Sequence, residues 1–304
     1  MAHSSPRQSS ADLASSNLTA LDGLDWTETN GTLTLTNMTS NVYLPVAVLE
    51  DSIMENSESF EIVLSNISWG TLGTSNVIGT VTDNDVLSLY IDDVTTNEAA
   101  GTASFRVWSD IYASSNITVG YGSSNITALD GLDWTQTNGL LTLTNMTSNT
   151  YISISILEDA ILESSETFAV YLSNISWGQI ADTNAVGTIQ DNDSLNIYVD
   201  DVVTNEGLGT AVFRIWTTIP ASTNITVDFA SSNLTAVDGL DWTQTNGTVV
   251  ISNGSTNAYV TVAVLEDSIM ENAETFAFNI SNASLGVIAD SSAVGTITDN
   301  DLLT

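Results

Sequence analysis

The sequence predicts an all-β protein made of tandem seven-stranded antiparallel β-sandwiches of the immunoglobulin-like type, with a repeat length of 108 residues. The repeat length comes from two motifs that recur without any insertion or deletion between them. The motif DGLDW begins at residues 22, 130 and 238, and the motif DND begins at residues 83, 191 and 299. A unit of this size exceeds solenoid repeats of roughly 20–50 residues, so each copy is long enough to bury its own core.

Within one repeat, apolar side chains alternate with polar ones, which is typical of half-buried strands. In the segment TASFRVW, Ala103, Phe105 and Val107 fall on one face. The segments YISISIL and TFAVYLS follow the same period, and no segment sustains a helical period. The second repeat is therefore predicted to contain seven strands, named A to G in chain order: Leu87–Asp92, Thr102–Trp108, Asn116–Tyr121, Leu140–Thr144, Tyr151–Leu157, Thr167–Ser173 and Ala185–Gln190.

The period divides the chain into three repeats and two short ends. Repeat 1 is predicted at 14–85 without strands A and B, because Ala14 corresponds to Gly122 of the next copy. Repeats 2 and 3 follow at 86–193 and 194–301, residues 1–13 are a flexible lead-in or cloning remnant, and 302–304 begin a next repeat. An incomplete sandwich exposes strand edges, so we expect repeat 1 to be frayed or completed by another chain, and self-association into a filament or longer array fits this.

The composition restricts the partners of the protein. The chain has 37 acidic residues against three arginines and a net charge of −34, which repels nucleic acid and anionic membranes and favours cations. It has no cysteine, so disulfides and thiolate metal sites are excluded. No apolar run reaches the roughly 18–20 residues that membrane insertion needs. Acidity that only keeps the chain soluble is the alternative to a cation-binding function.

Chain direction predicts where the acidic residues gather. If successive strands run antiparallel, the A–B, C–D and E–F connections and the exit of strand G lie at one end of each sandwich, which we name the acidic end. The opposite end carries mostly Asn, Ser, Thr and Gly. In repeats 2 and 3 the acidic end collects Glu98, Asp133, Glu158, Asp159, Glu163, Glu166, Asp191 and Asp193, and Glu206, Asp241, Glu266, Asp267, Glu271, Glu274, Asp299 and Asp301.

Carboxylates packed this closely repel one another, and bound cations reverse the sign of that repulsion. Oxygen ligands without nearby His or Cys suit a hard ion, and flexible loops that offer about 6–8 oxygens favour Ca²⁺ over octahedral Mg²⁺. The sequence therefore predicts calcium sites at the acidic end. An acidic end without a specific site remains the alternative.

Three segments carry a family resemblance: GLDWT followed by GTLTLTN, then LEDSIMENSESFEIVLSN, then GTVTDND. They resemble Calx-beta repeats, which occur in the regulatory segments of sodium–calcium exchangers and in large extracellular proteins. The resemblance covers nearly the whole chain from Ala14 onward. It implies a β-sandwich fold and calcium ligands in the A–B loop, before the aromatic residue of the C–D loop, in the E–F stretch and after strand G.

Carried over to repeat 1, the resemblance implies ligands at Asp25, Glu50, Asp51, Glu55, Glu58, Asp83 and Asp85. In repeats 2 and 3 it implies the acidic residues named above. Repeat 1 has no A–B glutamate in this chain and is the weakest predicted site. The sequence departs from the family in two ways: Asn stands in the middle of each DND motif (Asn84, Asn192, Asn300), and Trp26, Trp134 and Trp242 stand where the family often has Tyr.

The predicted function is an extracellular or cell-surface structural or adhesive stalk or filament segment, in which calcium makes the joints between repeats rigid. The alternative is a calcium-sensing module that controls a partner. An enzyme is not expected, because no His base, nucleophile arrangement or phosphate-binding Gly-rich loop is present. The motif N-x-S/T predicts possible N-linked glycans, although β-turns use the same residues. It occurs, for example, at Asn17, Asn37, Asn66, Asn125, Asn145, Asn174, Asn233 and Asn282.

Overall fold

The computed structural model describes residues 8–36 and 39–302. The described chain is all-β apart from two single-turn 3₁₀ helices, Glu98–Ala100 and Glu206–Leu208. In this part of the chain no helix combines the length and apolarity that crossing a membrane requires. Residues 1–7 of the predicted lead-in and the sequon asparagine Asn37 lie outside the described residues.

The strands follow the 108-residue period. Repeat 1 contains β1 (Ser9–Asn17), β2 (Gly31–Leu35), β3 (Ile53–Met54), β4 (Glu58–Ser65) and β5 (Asn76–Val81). Repeat 2 contains β6 (Ser88–Ile91), β7 (Val94–Asn97), β8 (Thr102–Ser109), β9 (Tyr112–Ala113), β10 (Ile117–Asn125), β11 (Asn138–Leu143), β12 (Asn149–Ser155), β13 (Glu166–Ser173), β14 (Gln179–Ile180) and β15 (Asn184–Gln190). Repeat 3 contains β16 (Asn196–Val199), β17 (Val202–Asn205), β18 (Thr210–Thr217), β19 (Ile225–Asn233), β20 (Asn246–Ile251), β21 (Asn257–Ala263), β22 (Glu274–Ser281), β23 (Val287–Ile288) and β24 (Ser292–Thr298).

Each complete repeat is a sandwich of two sheets. In repeat 2 the sheet orders are β11-β10-β13-β15-β7 and β12-β8-β6-β14, and repeat 3 has the same arrangement with β20-β19-β22-β24-β17 and β21-β18-β16-β23. The structure thus confirms the predicted tandem β-sandwiches. All seven predicted strands of repeat 2 are present, with their ends shifted by a few residues.

Two short parallel pairs accompany the antiparallel ladders of each complete sandwich. The predicted strand A bends at its end and continues as β7, so that β6 lies in one sheet and β7 pairs in parallel with β15 in the other. The short β14 also pairs in parallel with β6. Two aspartates hold the bend: Asp92 accepts a hydrogen bond from Trp108 Nε1 at 2.8 Å, and Asp93 accepts one from the Val186 backbone at 2.7 Å.

Aromatic packing fills the space between the sheets. In repeat 2, Trp134 stacks on Phe168 with ring centroids 4.6 Å apart, and Phe105 meets Phe168 edge-on at 5.7 Å. All three side chains are fully buried. Gly187 lies directly against this cluster, because a Cβ atom there would sit 2.4 Å from Phe168 Cζ. The tryptophan at the Calx-beta tyrosine position is therefore a core residue.

Repeat 1 begins earlier than predicted and is open. The strand β1 starts at Ser9 rather than near Ala14, because Ala11 and Leu13 already alternate into the interior within the predicted lead-in. Its one four-stranded sheet, β2-β1-β4-β5, has no second sheet over it in the described residues. Its small buried core is formed by Ala20, Trp26 and Phe60. The described residues between β2 and β3 form no strand, although the repeat pattern predicts strand E there.

Candidate metal centre

Four connections meet at one end of each complete sandwich, as loop parity predicted. In repeat 2 they are the 3₁₀ turn that begins at Glu98, the β10–β11 loop with Asp133, the β12–β13 loop with Glu163, and the exit of β15 at Asp191. A hydrogen bond from the Glu163 backbone to Asp191 Oδ2 at 2.7 Å joins the last two connections. A backbone N–H and a carboxylate that are far apart in sequence thus hold these two connections together.

The carboxylates form two clusters in each complete repeat. Within each cluster, one oxygen of every member lies within 4.8 Å of the others. In repeat 2 we name them the Glu98 cluster (Glu98, Asp191, Asp193) and the Asp133 cluster (Asp133, Glu163, Glu166). Repeat 3 has the matching groups Glu206, Asp299, Asp301 and Asp241, Glu271, Glu274.

Local hydrogen bonds fix the direction of these side chains. Asp133 Oδ2 accepts from the Leu129 backbone at 2.6 Å, which closes the turn before Trp134 and aims the carboxylate at the acidic end. Asp191 Oδ1 accepts from the Asp193 backbone at 2.7 Å, so the exit of β15 curls around its own first aspartate. The β10–β11 loop and the exit of β15 are thus ordered by the same carboxylates that make up the clusters.

Two predicted ligands of repeat 2 lie beside the clusters rather than inside them. The Asp159 backbone donates to Glu98 Oε1 at 3.1 Å, while its side chain accepts from Ile161 at 2.8 Å. Glu158 accepts a hydrogen bond from Asn192 Nδ2 at 2.9 Å. In repeat 3, Glu266 and Asp267 make the corresponding contacts with Asn300 and Ile269. These acids therefore neighbour the clusters and are partly engaged by other groups.

The middle asparagine of each DND motif has a structural role that the sequence analysis missed. Asn192 Oδ1 accepts from the Ala99 backbone at 3.1 Å, while its amide nitrogen donates to Glu158. An aspartate could accept from Ala99 but could not donate to Glu158. The departure from the family motif thus adds a neutral link between the 3₁₀ turn and the β12–β13 loop. The signal available in the sequence was the recurrence of Asn at the same position in all three repeats.

Repeat 1 gathers its acids in one cleft. The cleft is lined by all seven predicted residues of this repeat, namely Asp25, Glu50, Asp51, Glu55, Glu58, Asp83 and Asp85. Among the described residues of this repeat, Asp25, Asp51 and Glu55 form the group of three in which one oxygen of every member lies within 4.8 Å of the others. No counterpart of Glu98 is available in the described part of this repeat, so its carboxylate set is smaller than in repeats 2 and 3.

Burial and neighbouring carboxylates disfavour the ionised form of several glutamates at the acidic ends. Burial is the main cause that raises the pKa of Glu166 to about 7, and the adjacent Asp133 adds to it by hydrogen bonding and repulsion. Burial likewise raises the pKa of Glu98 to about 7, although the hydrogen bond from Asp159 lowers it. The pKa values of Glu58 and Glu274 rise to about 7 for the same reasons as that of Glu166. The ordinary value is about 4.5, so these carboxylates favour a proton or another positive charge.

No arginine in the described residues supplies that charge to the clusters. Arg106 and Arg214 lie on the strands β8 and β18, 3.6 Å from Asp92 and 3.3 Å from Asp200. They also lie over the rings of neighbouring tryptophans at 5.4 and 5.2 Å. In the part of the chain that the structure describes, the acidic ends therefore have no arginine beside their carboxylate clusters.

Two buried oxygens make the fit to a metal ion specific. Asp193 Oδ2 and Asp301 Oδ2 are buried and have no hydrogen-bond partner among the described residues. A buried carboxylate oxygen without a donor is costly, and a cation removes that cost. The donor set contains only oxygens, presented by loops and by the exit of β15, which suits Ca²⁺. The residues present therefore fit a calcium ion.

The sequon asparagines have structural uses. Asn66, Asn174 and Asn282 adopt the left-handed backbone at φ 48°, 50° and 50°, which Asn tolerates better than most residues. Asn17, Asn125 and Asn233 each accept a backbone hydrogen bond that starts the DGLDW turn. Turn geometry thus accounts for these six asparagines, and glycosylation stays a prediction.

Comparison with a protein-family model identifies the domain type of this chain. The family model of the Calx-beta domain matches residues 1–85, 81–193 and 188–301. Adhesion G-protein coupled receptor V1 of Danio rerio is 25% identical over 300 residues, which is 88% of this chain and 5% of the receptor. The chain thus spans only a small part of that curated relative.

Solved structures of tandem repeats are also similar. The crystal structure of CBD12 from CALX1.2 has a TM-score of 0.35 and 20% identity, and the match covers 69% of this chain and 99% of that chain. The crystal structure of a tetra-tandem repeat in the extending region of a large adhesion protein has a TM-score of 0.38 and 14% identity. That match covers 96% of this chain and 67% of that chain.

Proposed function

The chain belongs to the Calx-beta domain family, and from this premise we propose that it is a structural or adhesive segment at the cell surface whose repeats are made rigid by calcium. The observation that carries the proposal is the shared position of the carboxylate clusters and the joints. The exit of β15 supplies Asp191 and Asp193, and the next repeat begins at β16 (Asn196–Val199) almost without a linker. An ion held there acts directly on the joint.

The Glu98 cluster and the Asp133 cluster would hold the ions in repeat 2, and their counterparts would hold them in repeat 3. The bound ion supplies positive charge that offsets the repulsion among the carboxylates. Asp193 and Asp301 contribute the buried oxygens that lack donors. Glu158 and Asp159, with Glu266 and Asp267, would act as further ligands, and Asn192 and Asn300 fix the direction of Glu158 and Glu266. Repeat 1 would bind more weakly because it offers fewer carboxylates.

Without ions, the same carboxylates weaken the joint. Like charges in one cluster repel, and that repulsion is relieved when the loops separate. With ions, the 3₁₀ turn, the two loops and the exit strand share ligands and move as one unit. The chain would then behave as a rod with calcium and as a flexible string without it.

Small-angle X-ray scattering tests this proposal on the full chain. Scattering is recorded with calcium, with a chelator, and with magnesium at the calcium concentration as the matched control. We expect calcium to increase the maximum dimension and to sharpen the distance distribution, with a smaller effect of magnesium. Identical profiles in calcium and chelator, with calorimetry that detects binding, would refute the stiffening.

The two complete repeats favour a stalk over a calcium sensor. Their clusters contain the same residue types at equivalent positions, so neither ligand set is specialised as a separate high-affinity sensing site. A sensor requires tight sites in the micromolar range, whereas a stalk outside the cell functions with sites of about 10⁻⁴–10⁻³ M. Calorimetric titration separates the two functions. The adhesion receptor among the relatives supports an extracellular position. N-linked glycans and lateral self-association are further proposals for mass spectrometry and sedimentation of native material.

A further inference from the structure

In each repeat, the acidic segment between predicted strands E and F carries one apolar side chain that points away from its own sandwich. Met54 ends β3 in the acidic segment before β4 of repeat 1, but it is 2% exposed and packs in the hydrophobic core of repeat 2. Leu162 in repeat 2 is partly buried and packs against the core of repeat 3. The equivalent Met270 in repeat 3 is 56% exposed. Among the described residues, Met54 and Leu162 are thus docked on the following repeat, and Met270 is not.

Backbone contacts hold the docked residues in place. The strand β3 pairs in parallel with β9, and the Ser114 backbone donates to Met54 O at 3.0 Å. The Leu162 backbone donates to Pro220 O at 3.0 Å, and the Ser222 backbone donates to Leu162 O at 3.0 Å. The acidic loops of repeats 1 and 2 thus each form a short parallel β-pairing with the turn after β8 or β18 of the next repeat.

The docked residue is a direct neighbour of a carboxylate ligand. Leu162 precedes Glu163, whose side chain belongs to the Asp133 cluster and whose backbone donates to Asp191 at 2.7 Å. Met54 precedes Glu55, whose side chain lies in the cluster of repeat 1 and whose backbone N–H donates to Asp83 Oδ2 at 2.7 Å. A change in the loop that moves the ligand therefore also moves the apolar side chain in the next core.

We infer that Met54 and Leu162 are positioning residues that couple cation binding in one repeat to the orientation of the next repeat. This inference rests on the proposed function and names the contact through which stiffening occurs. Coupling between two binding events is reciprocal. Docking of Leu162 therefore preorganises the carboxylates of repeat 2, and the loop of repeat 3, with Met270 exposed, lacks that help.

The consequence is a difference in affinity between sites with the same ligands. The clusters of repeats 2 and 3 match residue for residue in type, so the ligand set does not distinguish them. The state of the apolar neighbour does. We expect repeat 2 to bind calcium about tenfold more tightly than repeat 3, within the usual range of allosteric coupling. Loss of docking should bring repeat 2 to the affinity of repeat 3.

The test uses the full chain, which contains no cysteine and therefore accepts a single pair of spin labels. Ser153→Cys and Thr261→Cys place labels at equivalent exposed positions of repeats 2 and 3. Interspin distances are measured with calcium and with chelator in the parent, in Leu162→Ser, and in the matched control Met270→Ser. Leu162→Met, which restores the residue of repeat 1, serves as the rescue variant, and circular dichroism monitors folding of each variant.

We expect calcium to narrow the distance distribution in the parent, in Met270→Ser and in Leu162→Met, but not in Leu162→Ser. Calorimetry should then detect a tighter and a weaker class of sites in the parent, and a loss of about tenfold in the tighter class for Leu162→Ser. Narrowing in folded Leu162→Ser equal to that of the parent would overturn this inference and leave the proposed function standing. If the interspin distance distribution of the parent did not change when calcium binds, both this inference and the proposed function would be overturned.

Discussion

Replacing Asp133 by Asn should stabilise the protein without calcium and destabilise it with calcium. Asn keeps the size of the side chain and can still accept the hydrogen bond from Leu129. It removes one of the three charges of the Asp133 cluster. Because Asp133 is the second cause, after burial, of the raised pKa of Glu166, the variant relieves repulsion that the chelated protein carries.

The magnitude follows from the pKa of Glu166. A rise from 4.5 to about 7 corresponds to roughly 3 kcal/mol at about 1.4 kcal/mol per unit. Burial is its largest cause and persists in the variant, and Glu166 is partly exposed to screening solvent. The gain from Asp133→Asn is therefore on the order of 1 kcal/mol, or about 4 °C in the melting temperature of one repeat. With calcium, loss of a carboxylate should weaken binding by at least about tenfold, or about 1.4 kcal/mol.

Thermal unfolding by circular dichroism at pH 8 measures both effects, in chelator and in saturating calcium. Asp130→Asn is the matched control, because Asp130 lies in the same loop and accepts from Gln136 at 2.7 Å, but belongs to neither cluster. The control should lower stability slightly under both conditions. If Asp133→Asn lowered the melting temperature in chelator and left the calcium-induced increase intact, the argument from repulsion would be wrong.

The remaining predictions concern pH, packing and the middle asparagine. In chelator, the melting temperature should rise as pH falls from 8 to 5. The reason is that glutamates with a pKa raised from 4.5 to about 7 stabilise the fold below pH 4.5 and lose that contribution as pH rises through 7. In saturating calcium, the melting temperature should no longer rise as pH falls from 8 to 7, and a flat pH profile in chelator would contradict the prediction. Gly187→Ala should destabilise repeat 2 by about 1–3 kcal/mol in urea unfolding, because the new methyl group would overlap Phe168. Gly73→Ala, where no atom lies within 4 Å, is its control and should be close to neutral, so equal losses in both variants would refute the packing argument. Asn192→Ala should weaken calcium binding in calorimetry by about tenfold through misplaced Glu158, and unchanged affinity would show that this contact does not matter.

The repeat period and the convergence of acids could be predicted from the sequence because they depend on counting. Equal spacing defines the repeats, and strand parity places alternate loops at one end whatever the details of packing. The acids of the A–B, C–D, E–F and post-G segments therefore come together in the structure as expected. The period-two pattern located the strands because burial of alternate side chains drives their formation.

Other features depended on contacts between distant residues. The bend between β6 and β7 is held by Asp92 and Asp93 through Trp108 and Val186, and nothing local in the sequence marks it. The strand β1 was missed because SSADLASSN is rich in small polar residues and buries only a few of them. The role of Met54 was hidden because an apolar residue among acids gains meaning only from the next repeat.

Anomalous scattering from crystals grown with calcium tests the central claim most directly. Data collected at long wavelength identify calcium by its own signal, independently of the refined protein. We expect anomalous difference peaks within calcium-coordination distance of Asp193 and Asp301, and of the Asp133 cluster and its counterpart in repeat 3. Ordered acidic loops with no calcium peak at either repeat would contradict the account.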